Sequence, residues 1–379
     1  MGEMMKKTHF LCLLTFCLVF LLPTPVSAVP AIGARSAVLI DAASGTVLYG
    51  KNENMRRGMA STTKIMTALI TLERIPTDTV VSVAPEACGI EGSSVYLTPG
   101  EQITVESLLY ALMLQSANDA AEALAYAVAG SREAFVALMN EKALSLGLTD
   151  THFENPHGLD GEHHYTTAYE LALLAAHALK NDVFCEIVST KRCEIPLANG
   201  EATRLLINHN RLLREYDDII GVKTGYTRAC GRTLVSAAER DGVRLVCVTL
   251  DDGNDWADHR AMLDYGFSLY EERLLAAAGD FSFSVPVCGG VGASVTVSNP
   301  HALSVMLPRT DTEISVVTEL PRFLYGGVRA GQTVGMVRFY LDGTELGAVT
   351  LVAEQDVEVL RVEKRFLKRL IDFIFQQFT

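Results

Sequence analysis

Residues 105–115 read VESLLYALMLQ, a helix-forming stretch that is apolar almost all the way round. A helix without a polar face is stable only where other elements enclose it on every side, so the rest of the chain must build a shell around this segment. The flanking sequence supplies one. On the N-terminal side, Ser36–Asp41 and Thr46–Gly50 are β-prone runs separated by a Ser44-Gly45 turn, the pattern of a hairpin. On the C-terminal side, IIGVKTG, RTLVSAAE and VRLVCVTLD, at 219–225, 232–239 and 243–251, are three further strands parted by glycine-bearing turns. Between them, apolar residues recur at helical spacing over 61–75, 119–128, 132–146 and 168–179. The expectation is an α+β domain in which first and last strands share one antiparallel sheet over a helical cluster.

The two ends differ in character. Lys6 and Lys7 precede the apolar run Phe10–Leu22, and Val26 and Ala28 are small residues suited to a cleavage site. This is the layout of a secretory signal peptide over 1–28, the alternative being an uncleaved anchor. The expected domains are 29–278, a β-rich unit over 279–358 with a hairpin turn at Asp342-Gly343, and a terminal helix over 359–379. In that helix Phe366, Leu370, Ile374 and Phe378 share one face, and Lys364, Arg365, Lys368 and Arg369 lie off it or along its margin. Such a helix can lie flat on an anionic membrane or dock on the β-rich unit. The formal charge is −13, which excludes nucleic acid as a natural partner. Cys88, Cys185, Cys193, Cys230, Cys247 and Cys288 are scattered without a CxxC pair. They read mainly as small buried hydrophobes, with a Cys185–Cys193 disulfide as the alternative in an exported chain.

ASTTK at 60–64 places Ser61 and Lys64 at i and i+3, on one face of a helix start. A serine hydroxyl needs a base, and a lysine can serve if burial or a neighbouring cation lowers its pKa. The alternative is Ser61 as a helix cap. By itself the SxxK pattern arises about once or twice by chance in a chain this long. Two later segments change its weight. QSAND brings Ser116 and Asn118 where the apolar helix breaks, and GVKTGYT brings Lys223, Thr224 and Gly225 at the end of an apolar strand. A KTG triplet is expected by chance in about one such chain in ten.

The ordered set SxxK, SxN, KTG is the arrangement of penicillin-binding proteins and class A β-lactamases. The chain resembles the low-molecular-mass penicillin-binding proteins that are D-alanyl-D-alanine carboxypeptidases, and NPHGLDGEHHYTTA, GVKTGYT and DAASGTVLYGKN resemble further segments of that family. The resemblance implies a transpeptidase/β-lactamase-like domain, a small β-sandwich-like domain and an amphipathic C-terminal membrane helix. It implies Ser61 as the acylated nucleophile, Lys64 as its base and Ser116 as a proton relay. Asn118, Lys223, Thr224, Gly225 and Tyr226 would bind substrate, with the N–H groups of Ser61 and Tyr226 as the oxyanion hole. DHRAMLDYGF resembles a stretch carrying a carboxylate-binding arginine, which points to Arg260. The implied partners are a peptidoglycan stem peptide ending in D-Ala-D-Ala, β-lactams as covalent inhibitors, and the extracytoplasmic face of the membrane; no cofactor or metal is implied. His157 is shared with the family segment, where loop support suits it better than proton transfer.

Three rivals share features with this reading. A class A β-lactamase needs a glutamate with an asparagine four residues on, whereas Glu154 is followed at that distance by Gly158. A zinc peptidase is suggested by His157, Asp160, Glu162, His163 and His164, but HExxH is absent. A non-catalytic wall-binding scaffold of the same fold would have lost one of the catalytic groups, and none is lost here.

Overall fold

The computed structural model describes residues 27–197, 202–310, 313–361 and 364–376. The signal-peptide reading therefore falls almost wholly outside the described residues. By its internal contacts the chain divides into Met1–Leu269 and Tyr270–Thr379.

In the larger unit, β1 (Ser36–Asp41) and β2 (Val47–Lys51) form the N-terminal hairpin, and β3 (Ile219–Thr227), β4 (Gly231–Arg240) and β5 (Val243–Leu250) form the return. They make one antiparallel sheet in the order β2-β1-β5-β4-β3. The first strand pairs directly with the last, Leu39 opposite Cys247. Strand periodicity then sorts the side chains by face. Val38, Ile40, Val235, Ala237, Val246 and Val248 enter the large core. Leu39 and Leu245, of opposite parity, turn to the other face and meet α7 (Asp255–Ser268), where a side chain at Gly266 would collide with both.

The helical cluster comprises α1 (Lys64–Arg74), α2 (Val105–Leu114), α3 (Asn118–Ala129), α4 (Arg132–Ser145), α5 (Ala168–Ala178) and α6 (Asp182–Ser189). As its composition requires, α2 is enclosed, with Leu108, Leu109, Ala111, Leu112 and Leu114 all fully buried. Thr104, Ser131 and Thr167 cap α2, α4 and α5, each side chain accepting a backbone N–H from the first turn. The helices cover one face of the sheet and α7 the other, giving three layers.

The smaller unit contains β6 (Tyr270–Ala276), β7 (Ser282–Cys288), β8 (Ser294–Ser298), β9 (Leu303–Pro308), β10 (Ile314–Glu319), β11 (Leu324–Tyr325), β12 (Thr333–Leu341) and β13 (Thr344–Ala353). Six strands run in the order β10-β12-β13-β8-β7-β11, and β6 pairs with β9. Val285, Val295, Val297, Val337, Phe339 and Leu351 fill the core between them. The unit begins at Tyr270 rather than at the expected 279, because β6 pairs with Leu303–Pro308 of the same unit, with the β7–β8 hairpin between them in the chain. The terminal helix covers Lys364–Gln376. Among the described residues no helix is long and apolar enough to cross a membrane. All six cysteines of the described chain are free thiols, Cys185 and Cys193 included.

His259, on α7, is fully buried, its ring nitrogens 2.6 Å from Ser236 Oγ and 3.0 Å from Thr249 Oγ1. Burial lowers its pKa to about 3, whereas the unfolded chain binds a proton near pH 6.5. Stability is therefore fully present above pH 6.5 and is lost as pH falls toward 3, by about 1.4 kcal/mol per pH unit for this group. Denaturant titrations at pH 7.0 and 5.5 are expected to show the loss, with a shallower pH dependence in His259→Gln.

Candidate active site

Ser61 lies in a tight 3₁₀ turn, Ala60–Thr63, that runs into α1. It caps nothing with its side chain. Instead Lys64 Nζ lies 3.0 Å from Ser61 Oγ, 2.7 Å from Asn118 Oδ1 and 2.5 Å from the His157 carbonyl. Lys64 has no exposed surface. Desolvation, then the charge of Lys223, pushes its pKa well below the ordinary lysine value, with Asp119 opposing. A serine hydroxyl beside an amine that favours its neutral form is an activated nucleophile.

The turn is held in an uncommon conformation. Ala60 has φ +47°, left-handed for a residue with a side chain, and the surrounding contacts fix it. Thr63 Oγ1 donates to the Ala60 carbonyl at 2.8 Å and lies 2.7 Å from His164 Nε2. His164 Nδ1 accepts the Glu154 N–H at 3.0 Å, which assigns the proton to Nε2 and makes His164 the donor to Thr63. Gly158, at φ +92°, has its backbone against the same Ala60 carbonyl, where any side chain would collide. The loop 154–164 thus braces the turn that carries Ser61. Its histidines act structurally: the His157 ring faces the buried carboxylate of Glu122 at 3.2 Å, not Ser61. Among the described residues no group of three His, Cys, Asp or Glu is arranged to hold a metal ion. The Glu154 carboxylate accepts the His163 N–H within the loop.

Ser116 stands at the break between α2 and α3 with φ +60°, and it too caps neither helix. Asn118 is pinned by donating Nδ2–H to the Glu91 carbonyl, and Gly92 approaches it where a Cβ would lie 2.9 Å from Nδ2. Asp119, the next residue, gathers the 91–97 loop through Ser94 Oγ and the N–H groups of Val95 and Leu97.

From the sheet side, β3 is an edge strand. Lys223 is almost wholly buried, donates to the Thr224 carbonyl at 2.9 Å, and is lowered by burial to about 7. At Gly225 a Cβ would lie 3.0 Å from the Ser61 nitrogen and collide with Thr233 Oγ1, so only glycine lets the strand reach the nucleophile. Ser61, Ser116, Thr224, Gly225 and Tyr226 open onto one cavity of about 470 Å³, shared with Ser93, His209, Arg232, Thr233, Asp255 and Trp256.

Arg260 is not among the residues lining that cavity. It bonds Asp264, one turn on, at 2.7 and 2.9 Å, and Asp218 at 3.1 Å, with Tyr216 against its guanidinium. Five residues from Asp255 on α7, it points about 140° away from it. The arginine that reaches the cavity is Arg232, on β4. Asp255 holds its Nε and Nη2 at 3.0 and 2.7 Å, and its guanidinium lies 5.5 Å from the Trp256 ring centre. No motif marked Arg232, Asp255, Trp256 or His209; strand pairing brings the first to the site and helix phase the next two.

A family model described as D-alanyl-D-alanine carboxypeptidase matches residues 24–254, and one described as the C-terminal domain of penicillin-binding protein 5 matches 270–359. The chain is 33% identical to the D-alanyl-D-alanine carboxypeptidase DacF of Bacillus subtilis, covering 86% of both chains. It is 34% identical to DacC of Escherichia coli over 92% of this chain and 89% of that one. The solved structure of penicillin-binding protein 5 from Haemophilus influenzae superposes with a TM-score of 0.61 at 28% identity, over 88% of this chain and 99% of that one.

The two lysines are coupled, and the coupling is measurable. In protein labelled with ¹³C at lysine Cε, one buried lysine is expected to titrate at about pH 7 and to vanish in Lys223→Gln. In the same variant the Lys64 titration should move upward, because the like charge that lowers it is gone. An unmoved Lys64 resonance would show the two amines to be independent.

Proposed function

The chain belongs to the D-alanyl-D-alanine carboxypeptidase family, and from that membership we infer how its cavity carries out the reaction. It is a serine-type D-Ala-D-Ala carboxypeptidase, a hydrolase of the cell wall that acts on peptidoglycan peptides ending in D-Ala-D-Ala and binds β-lactams. The observation that carries the residue assignment is the 3.0 Å contact of Ser61 Oγ with a fully buried Lys64, at the rim of a cavity shared with Ser116 and Thr224.

Ser61 Oγ attacks the carbonyl carbon of the penultimate D-alanine as its proton passes to Lys64. The developing oxyanion is received by the N–H groups of Ser61 and Tyr226, which the missing side chain of Gly225 brings together. The C–N bond breaks, the leaving amine takes a proton through Ser116, and free D-alanine departs. A water molecule, giving its proton to Lys64, then attacks the ester carbonyl. The C–O bond breaks, and Ser61 Oγ regains a proton. Asn118, fixed by Glu91 and Lys64, binds the substrate amide. The unpaired edge of β3 accepts the stem peptide as an added strand.

The substrate carboxylate is received by Thr224 and Arg232, with Lys223 supplying charge behind them. Arg232 takes the role expected of Arg260. Its Nε and Nη2 are committed to Asp255, which leaves Nη1 available to a carboxylate. Charge-assisted recognition of this kind contributes about 1.5–3 kcal/mol.

Export and membrane association extend the reading. Residues 1–28 have the order of a signal peptide, which supports action outside the cytoplasmic membrane. In the terminal helix Leu370, Ile371, Phe373 and Ile374 are exposed on a segment that carries Lys368 and Arg369. An amphipathic basic helix of this kind supports peripheral attachment.

Mass spectrometry of a synthetic pentapeptide should show loss of one D-alanine with wild type and none with Ser61→Ala, which should also take no fluorescent penicillin. Arg232→Ala is expected to lower kcat/KM by roughly 10- to 150-fold, while Arg260→Ala leaves it near wild type and lowers the Tm. The reverse pattern would return the carboxylate to Arg260.

A further inference from the structure

The smaller unit has two unlike ends. At one, Phe281 meets Phe339 edge to face with ring centres 5.9 Å apart, and β7 starts from there. At the other, where β7 ends, three segments converge: 289–291, 323–327 and 357–360. Their backbones are stitched together, the N–H of Gly326 donating to Cys288 at 2.9 Å, Gly327 to Val357 at 2.8 Å, Val291 to Glu358 at 2.9 Å and Leu360 to Gly289 at 2.8 Å. A side chain at Gly326 would collide with Gly289, so the approach requires glycine. The result is a firm platform made of backbone.

Outward from that platform stand five large apolar side chains. Val291 is 67% exposed, Phe323 46%, Tyr325 74%, Val359 55% and Leu360 55%. Phe323 and Tyr325 stack edge to face at 5.4 Å. A single exposed apolar residue needs no explanation, but a contiguous group of this size marks an interaction surface. Arg322, Arg329 and Arg361 are exposed around it, as are Asp356 and Glu358, and Asp356 is engaged by the Ala330 N–H. From this end the chain continues toward Lys364, Arg365, Lys368 and Arg369.

We propose that this end of the small domain is itself an interfacial membrane contact, with Phe323 and Tyr325 as anchors among the headgroups of an anionic bilayer. The proposal rests on the membrane-association reading of the terminal helix and adds a second, preformed point of attachment. Aromatic and aliphatic tips flanked by arginine match the headgroup region, where one side of a ring meets hydrocarbon and the other water. Charge selects the occupant. Anionic lipid complements the basic segment that leaves from the same end, whereas a second copy of the chain would bring an identical basic segment against it. Two contacts, one on the domain and one on the helix, fix an orientation that a helix on a tether does not.

The test uses the full exported chain, residues 29–379, with vesicles of phosphatidylglycerol and phosphatidylethanolamine, some carrying brominated acyl chains. Tyr325→Trp should be quenched by bromolipid, and Tyr340→Trp, toward the far end of the same domain, should not. The combined variant Val291→Ser, Phe323→Ser, Tyr325→Ser should bind vesicles about tenfold more weakly with the terminal helix intact, and an unchanged circular dichroism spectrum and thermal unfolding profile would show that its smaller unit is folded. Deleting 361–379 tests the helix separately. A full chain that ignores the vesicles overturns both readings. Vesicle binding with an unquenched Tyr325→Trp, or with no loss in the triple-serine variant, overturns the tip alone. A concentration-dependent dimer of wild type that disappears in that variant assigns the surface to a second copy and equally overturns the proposal.

Discussion

A lysine buried without a carboxylate in contact is the constraint on which the rest of this site depends. Lys64 has no exposed surface, and its three hydrogen-bond partners are a hydroxyl, an amide oxygen and a main-chain carbonyl. Neutral acceptors compensate the amine's lost hydration without compensating its charge, so the neutral form gains. An ion pair would have held the proton. The three partners come from three places in the chain: the nucleophile turn, the start of α3 and the 155–158 loop. Positioning the base therefore assembles the site.

The same economy governs the backbone. Two non-glycine residues, Ala60 and Ser116, adopt left-handed conformations beside the reacting atoms. Neighbouring groups determine each of them, through the Thr63–His164 chain for the first and the enclosed end of α2 for the second. Where the sheet must come closest, Gly225 gives up its side chain so that an edge strand can lie against Ser61. Rigid helices on one side and an unpaired strand edge on the other form a slot suited to an extended peptide.

Much of this was legible in the residues. The all-round apolar α2 demanded enclosure, and the strand and helix runs followed their periodicities closely, because each repeat reports which face meets the core. The motif residues Ser61, Lys64, Ser116 and Thr224 declared themselves by order and type. Arg260 stands apart: a matching stretch of sequence carried an arginine, and helix phase turns it toward Asp218 and Asp264 rather than into the cavity. Arg232 had no signal, since a lone arginine on a strand reads as solvated. Short elements such as Val80–Ser82 with Gln102–Thr104 were equally silent, being too brief to show a period.

The sequence by itself determined the architecture class, the motif residues and the family, because these rest on local spacing and on which faces are apolar. Tertiary structure alone decided how the lysine pKa values fall, which arginine faces the cavity and which glycines are obligatory. Those depend on burial and on contacts between residues far apart in the chain, such as Lys64 with His157 and Arg232 with Asp255. No period within a single segment can encode a distance that only the folded chain creates.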